Sequence, residues 1–64
     1  MDADYNIAME AYNEGKIAKA LKFFELTLSY KDSYEYYDKC NYSLGLNAFE
    51  KENYSLAKLY FFKL

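Results

Sequence analysis

The chain has 64 residues, 53% of them hydrophobic and 22% aromatic, with nine Tyr and five Phe. Eight Lys against ten acidic residues leave a net charge of −2, so the Arg-rich basic face usual in nucleic-acid binding is missing. Without His or Arg, and with Cys40 the single cysteine, an intrachain disulfide, a His/Cys metal site and Cys–His or Ser–His–Asp nucleophiles are excluded.

This length allows one small domain, residues 1–64, which buries only about 60% of its unfolded surface and needs a dense apolar side to be stable. Carboxylates such as Glu50 and Glu52 stand two apart, so they do not share a helix face. No catalytic constellation is present, and neither an enzymatic activity nor a cofactor is expected. The start, Met1-Asp2-Ala3-Asp4, is acidic and lacks an apolar signal region. The longest apolar run, Leu59-Tyr60-Phe61-Phe62, falls far short of a membrane span. A soluble, cytoplasmic protein is the expectation.

There is no Pro and there are only two Gly. With apolar residues spaced by three and four, this pattern predicts an all-α chain of four helices. The first runs from about Ala3 to Glu14, with Asp2 and Asp4 at its positive end, and Gly15 stops it with positive φ. The second covers about Ile17 to Ser29. After the tight connection Tyr30-Lys31-Asp32, Asp32 and Glu35 read as a capping box. The third helix covers about Ser33 to Lys51, and Asn53 opens a fourth over about Tyr54 to Leu64. Glu52 stands where the first half has Gly15. If that site needs positive φ, Glu52 costs about 1 kcal/mol unless Asn53 takes the strained conformation instead.

The two halves repeat each other. Tyr5 recurs as Tyr42, Ile7 as Leu44, Ala8 as Gly45, Ala11 as Ala48 and Tyr12 as Phe49, then Ile17 as Tyr54, Ala20 as Ala57, Phe23 as Tyr60 and Phe24 as Phe61, always 37 positions apart (42 − 5). A fixed period of this kind marks a repeat of helix pairs that cannot bury their apolar faces alone. Repeat one is about residues 3–32 and repeat two about 33–64, giving two antiparallel helix-turn-helix units stacked as a short α-solenoid or small bundle.

The series Ile7-Ala8, Tyr12, Gly15, Ile17, Ala20, Phe24, with Thr27 at a third small site, resembles the tetratricopeptide repeat. So does its second copy, Leu44-Gly45, Phe49, Tyr54, Ala57, Phe61. The connector Tyr30-Lys31-Asp32-Ser33 looks like that of a divergent bacterial or phage subtype. Asp4 and Asn41 occupy the family's Trp site, Ala11 and Ala48 stand where an aromatic is usual, and the Pro after the second helix is absent. The period also exceeds the family's usual length of about 34. The register of the first helix in each pair is therefore open by one residue.

Two surfaces follow. The resemblance implies a concave groove lined by the first helix of each pair, and in the closest register Tyr5, Met9, Tyr12, Tyr42, Leu46 and Phe49 would face it. In the shifted register Tyr5, Tyr12, Tyr42 and Phe49 are core framework. The family's carboxylate clamp of Lys and Asn is missing, so a groove here would favour apolar or aromatic segments. The second surface comes from the residues themselves: the polar stripe Lys19, Lys22, Glu25 is exchanged in the second copy for Leu56, Leu59, Phe62. A terminal repeat should instead carry a polar cap, and exposed apolar patches mark protein contacts. A small protein-interaction module is expected, binding or masking a partner protein and self-associating, as a dimer, through Leu56, Leu59, Tyr60 and Phe62. An inhibitor or antitoxin-like protein of a mobile element, or a piece of a longer array whose missing part covers the stripe, are the alternatives. Helical-repeat RNA binding is disfavoured by the acidic balance.

Overall fold

Four helices span residues 2–64 described by the computed structural model: α1 (Asp2–Asn13), α2 (Ile17–Leu26), α3 (Ser33–Glu50) and α4 (Tyr54–Phe62). No strand occurs among the described residues. Each helix packs on its neighbours in sequence, α1 on α2, α2 on α3 and α3 on α4, within a slab of 36 × 21 × 13 Å. The all-α architecture read from the spacing is what the chain adopts.

The two helix pairs turn in the same way. At the end of α1, Lys16 N–H donates to the Ala11 carbonyl at 2.8 Å and Gly15 N–H to Tyr12 at 3.1 Å. At the end of α3, Asn53 N–H donates to Ala48 at 2.9 Å and Glu52 N–H to Phe49 at 2.9 Å. Both are Schellman stops, which need a left-handed residue after the last turn. Gly15 takes φ 80 without strain, and Glu52 takes φ 61. Glu52 therefore carries the strain of about 1 kcal/mol itself, while Asn53 at φ −88 caps α4, its side chain accepting from Leu56 N–H at 3.4 Å.

Two expectations fail at the α2–α3 connection. α2 stops at Leu26 rather than Ser29. The Thr27 hydroxyl donates back to the Phe23 carbonyl at 3.0 Å and lies 3.0 Å from the Ser33 hydroxyl, a local bond that competes with continuing the helix. The capping box does not form either. Asp32 sits at the N-cap of α3 with φ −100 and ψ 22 and makes no cap bond, because an N-cap carboxylate needs an extended backbone to reach back to the helix amides. Its carboxylate instead accepts from the Tyr5 hydroxyl at 2.5 Å. Glu35 lies 3.9 Å from Lys39, its neighbour one turn on.

The core forms around Phe24, which is fully buried. Tyr5 and Tyr12 meet its ring edge-on at 6.2 and 6.4 Å, and Tyr36 of α3 stacks on it at 5.3 Å. These are the offset and edge geometries that aromatic quadrupoles favour. Ala8, Ala11 and Ala20 are buried and let α1 and α2 approach closely. Cys40, one turn beyond Tyr36, is also enclosed, and burial pushes its thiol up to about 11. The second pair has a thinner core, in which α4 contributes only Ala57 to the fully buried set. Gly45 replaces Ala8 there because a Cβ at 45 would clash with the Phe61 ring.

Candidate protein-interaction surfaces

On α4, Leu56, Leu59 and Phe62 all face solvent, Leu59 with 62% and Phe62 with 87% of its surface exposed. Their counterparts on α2, Lys19, Lys22 and Glu25, are exposed in the same way. The exchange read from the sequence therefore falls on the outer face of the helix. Spacing of about 100° per residue places Leu59 roughly opposite Ala57 and Phe61, the side that meets α3. Tyr60 is different. It is half-buried and packs against the core, and it lines a cleft on α3 together with Leu56, one turn before it.

The six residues read as a groove divide into two environments. Tyr5, Met9 and Tyr12 are half-buried against the core cluster. The Tyr5 hydroxyl is held as a donor to Asp32, and that hydrogen bond, with desolvation and the carboxylate charge, raises its pKa to about 12. Tyr42, Leu46 and Phe49 are exposed. Leu46 borders a mixed cleft between the α1–α2 turn and α3, with Lys16, Lys19, Asn47 and Glu50 among its walls. No single aromatic groove runs through all six.

Tyr42 and Phe49 instead belong to the open end of the stack. Phe61 lies 6.1 Å from Tyr42, and Phe49 meets Tyr54 edge-on at 5.3 Å. Phe49, Tyr54, Ala57, Lys58, Phe61 and Phe62 line an almost wholly apolar depression between α3 and α4. Shifted back by 37 positions (49 − 12), the first five become Tyr12, Ile17, Ala20, Leu21 and Phe24. That earlier set is covered by α3, whose Tyr36 ring lies 5.0 Å from Tyr12 and 5.3 Å from Phe24. The same surface is thus an interior joint in one copy and an exposed end face in the other.

Sequence reasoning missed this end face. Tyr54 and Phe61 were legible only as repeat positions, and Tyr36 carried no message; its spacing of four from Asp32 and from Cys40, which sets the three on one side of a helix, was the available signal. Among the described residues no three His, Cys, Asp or Glu side chains gather into a metal site, and no helix is long and apolar enough to cross a membrane. No family model, curated protein or solved structure matches the chain significantly.

Proposed function

We propose that this chain is a small tetratricopeptide-like interaction module, without catalytic activity of its own, that binds or masks a partner protein in the cytoplasm and forms a dimer through α4. The observation that carries the reading is the stripe Leu56, Leu59, Phe62, exposed where the first copy displays Lys19, Lys22 and Glu25. Three large apolar groups on the outer face of one short helix are costly to leave in water at about 25 cal/mol per Å², and contiguous patches of this kind mark contacts with other proteins. A two-fold arrangement would bring the stripe of one copy against the stripe of another, the self-complementary contact that closes without forming fibres. Leu56, Leu59 and Phe62 would carry the contact, and Tyr60 would support the helix from its inner side.

The test is light scattering of the wild type beside Leu59→Glu. A wild-type dimer that becomes monomeric in the variant, with unchanged helicity, supports the reading. A wild type that stays monomeric at high micromolar concentration removes the self-association.

A further inference from the structure

The internal joint between the copies describes what would fit the end face. In copy one, the covering segment is the front of α3. Asp32, Tyr36 and Cys40 follow at intervals of four residues, so they lie along one side of a helix. Each does one thing. The Asp32 carboxylate takes the Tyr5 hydroxyl, Tyr36 fills the space between Tyr12 and Phe24, and the small, enclosed Cys40 lets the backbones close.

The end face offers the matching half again. Tyr42 stands to Phe61 at 6.1 Å as Tyr5 stands to Phe24 at 6.2 Å, and Tyr42 is exposed. Phe49 and Tyr54 wall the depression as Tyr12 and Ile17 do in copy one, and Ala57 repeats Ala20 at its floor. Two walls change in charge: Leu21 becomes Lys58, and Glu25 becomes Phe62. The first change places a positive charge at the rim and removes none. The second removes a negative charge and widens the apolar lip. Both favour an acidic and aromatic visitor over a basic one.

We propose that this end face binds a helix of another protein that carries a tyrosine, a carboxylate one turn before it and a small residue one turn after it. A second copy of the chain does not satisfy that description. In a folded copy Tyr36 is stacked inside on Phe24, and Asp32 is engaged by Tyr5. A folded second copy is therefore not the occupant, and the site meets the α4 stripe only at Phe62. The proposal rests on the chain being an interaction module but not on its forming a dimer.

The probe is a helix-stabilised peptide with this chain's own residues 30–44, labelled and titrated with the full chain by fluorescence anisotropy. Saturable binding is expected. Tyr36→Ser in the peptide, or Phe49→Glu in the protein, weakens it roughly tenfold or more, the scale of losing one buried aromatic side chain. Tyr54→Lys, at another exposed wall, gives the same loss and guards against a folding defect in Phe49→Glu. Leu59→Glu does not weaken binding, because Leu59 does not line the face, and where the wild type is a dimer it tightens binding by freeing Phe62, which separates this result from the fate of the stripe. No saturable binding at millimolar chain, or binding indifferent to Tyr36→Ser, overturns the proposal. So does a wild-type dimer that Phe49→Glu dissociates, since a second copy would then cover the face.

Discussion

Tyr12 and Phe49 occupy the same place in the repeat, 37 residues apart (49 − 12), but only Tyr12 is covered, so truncating each to Ala should give unequal losses. Tyr12 is half-buried and meets two rings, Phe24 at 6.4 Å and Tyr36 at 5.0 Å. Burial of about half its ring is worth about 1.5 kcal/mol, and the two aromatic pairs add about 2 kcal/mol. The better helix propensity of Ala returns about 0.5 kcal/mol. The net cost of Tyr12→Ala is then about 3 kcal/mol, a large part of what a domain this small possesses. Phe49 is 55% exposed and meets Tyr54 alone. Its burial and single pair, less the same propensity gain, leave about 2 kcal/mol. In thermal unfolding followed by circular dichroism, the difference of about 1 kcal/mol, the worth of the second aromatic pair, separates the two midpoints by roughly 4–8 °C. Equal drops would refute the reasoning, because Phe49 would then be as covered in solution as Tyr12 is. Repeating the melt across protein concentrations shows whether a second copy supplies that cover.

Two further outcomes test the interior. Asn41 is fully buried, and neither Oδ1 nor Nδ2 has a protein hydrogen-bond partner, so Asn41→Leu, similar in shape, should stabilise the fold by about 1–2 kcal/mol in urea unfolding; a loss of stability would show that the amide is satisfied. Stability should also decline in alkali. Cys40 rises from 9.0 to about 11 and Tyr5 from 10.0 to about 12 on folding. Both are uncharged when protonated, so the folded chain holds these protons more tightly than the unfolded one, and the contribution is complete below about 9 and lost as pH climbs toward 12. Urea midpoints measured from pH 8 upward should fall from about pH 9 in the wild type and from about pH 10 in Cys40→Ala, whereas a flat profile would contradict the burial of the thiol.

The parts of the fold legible in the sequence were those controlled by local chemistry or by the repeat. Gly15 announced a left-handed stop, and the 37-residue shift carried that stop to Glu52, where the backbone tolerates an unsuitable residue because the same two amide bonds close around it. What could not be read depended on contacts across the chain. Asp32 looked like a cap because Glu35 follows it three residues later. It serves another partner because α1 brings the Tyr5 hydroxyl to it from 27 positions away, while its own backbone is not extended enough for the carboxylate to reach the helix amides. Thr27 matched a small repeat position, but its hydroxyl also ended α2 early. Tyr60 showed the same limit. It was grouped with Leu56, Leu59 and Phe62 as an apolar residue of the last helix, and only the packing of α4 shows it half-buried against the core.

The groove residues were ambiguous for a deeper reason. Repeat symmetry says that two positions are chemically alike, but not that they are alike in exposure. Tyr5 and Tyr12 are interior because α3 lies over them, and Tyr42 and Phe49 are surface because no described segment lies over theirs. A one-sided stack therefore turns its own packing code into a recognition code at its open end. Here that end and the outer stripe of α4 are adjacent, and Phe62 belongs to both, closing the stripe at one side and the apolar depression at the other. A dimer that buried Phe62 in its own contact would remove one wall from the end face, and a helix docked on that wall would remove one anchor from the dimer. Linkage makes such an effect mutual, each occupant weakening the other by the same factor. On this geometry the chain need not hold both partners at once. Binding a foreign helix would release the second copy, and the shared side chain at position 62 is where that exchange would be decided.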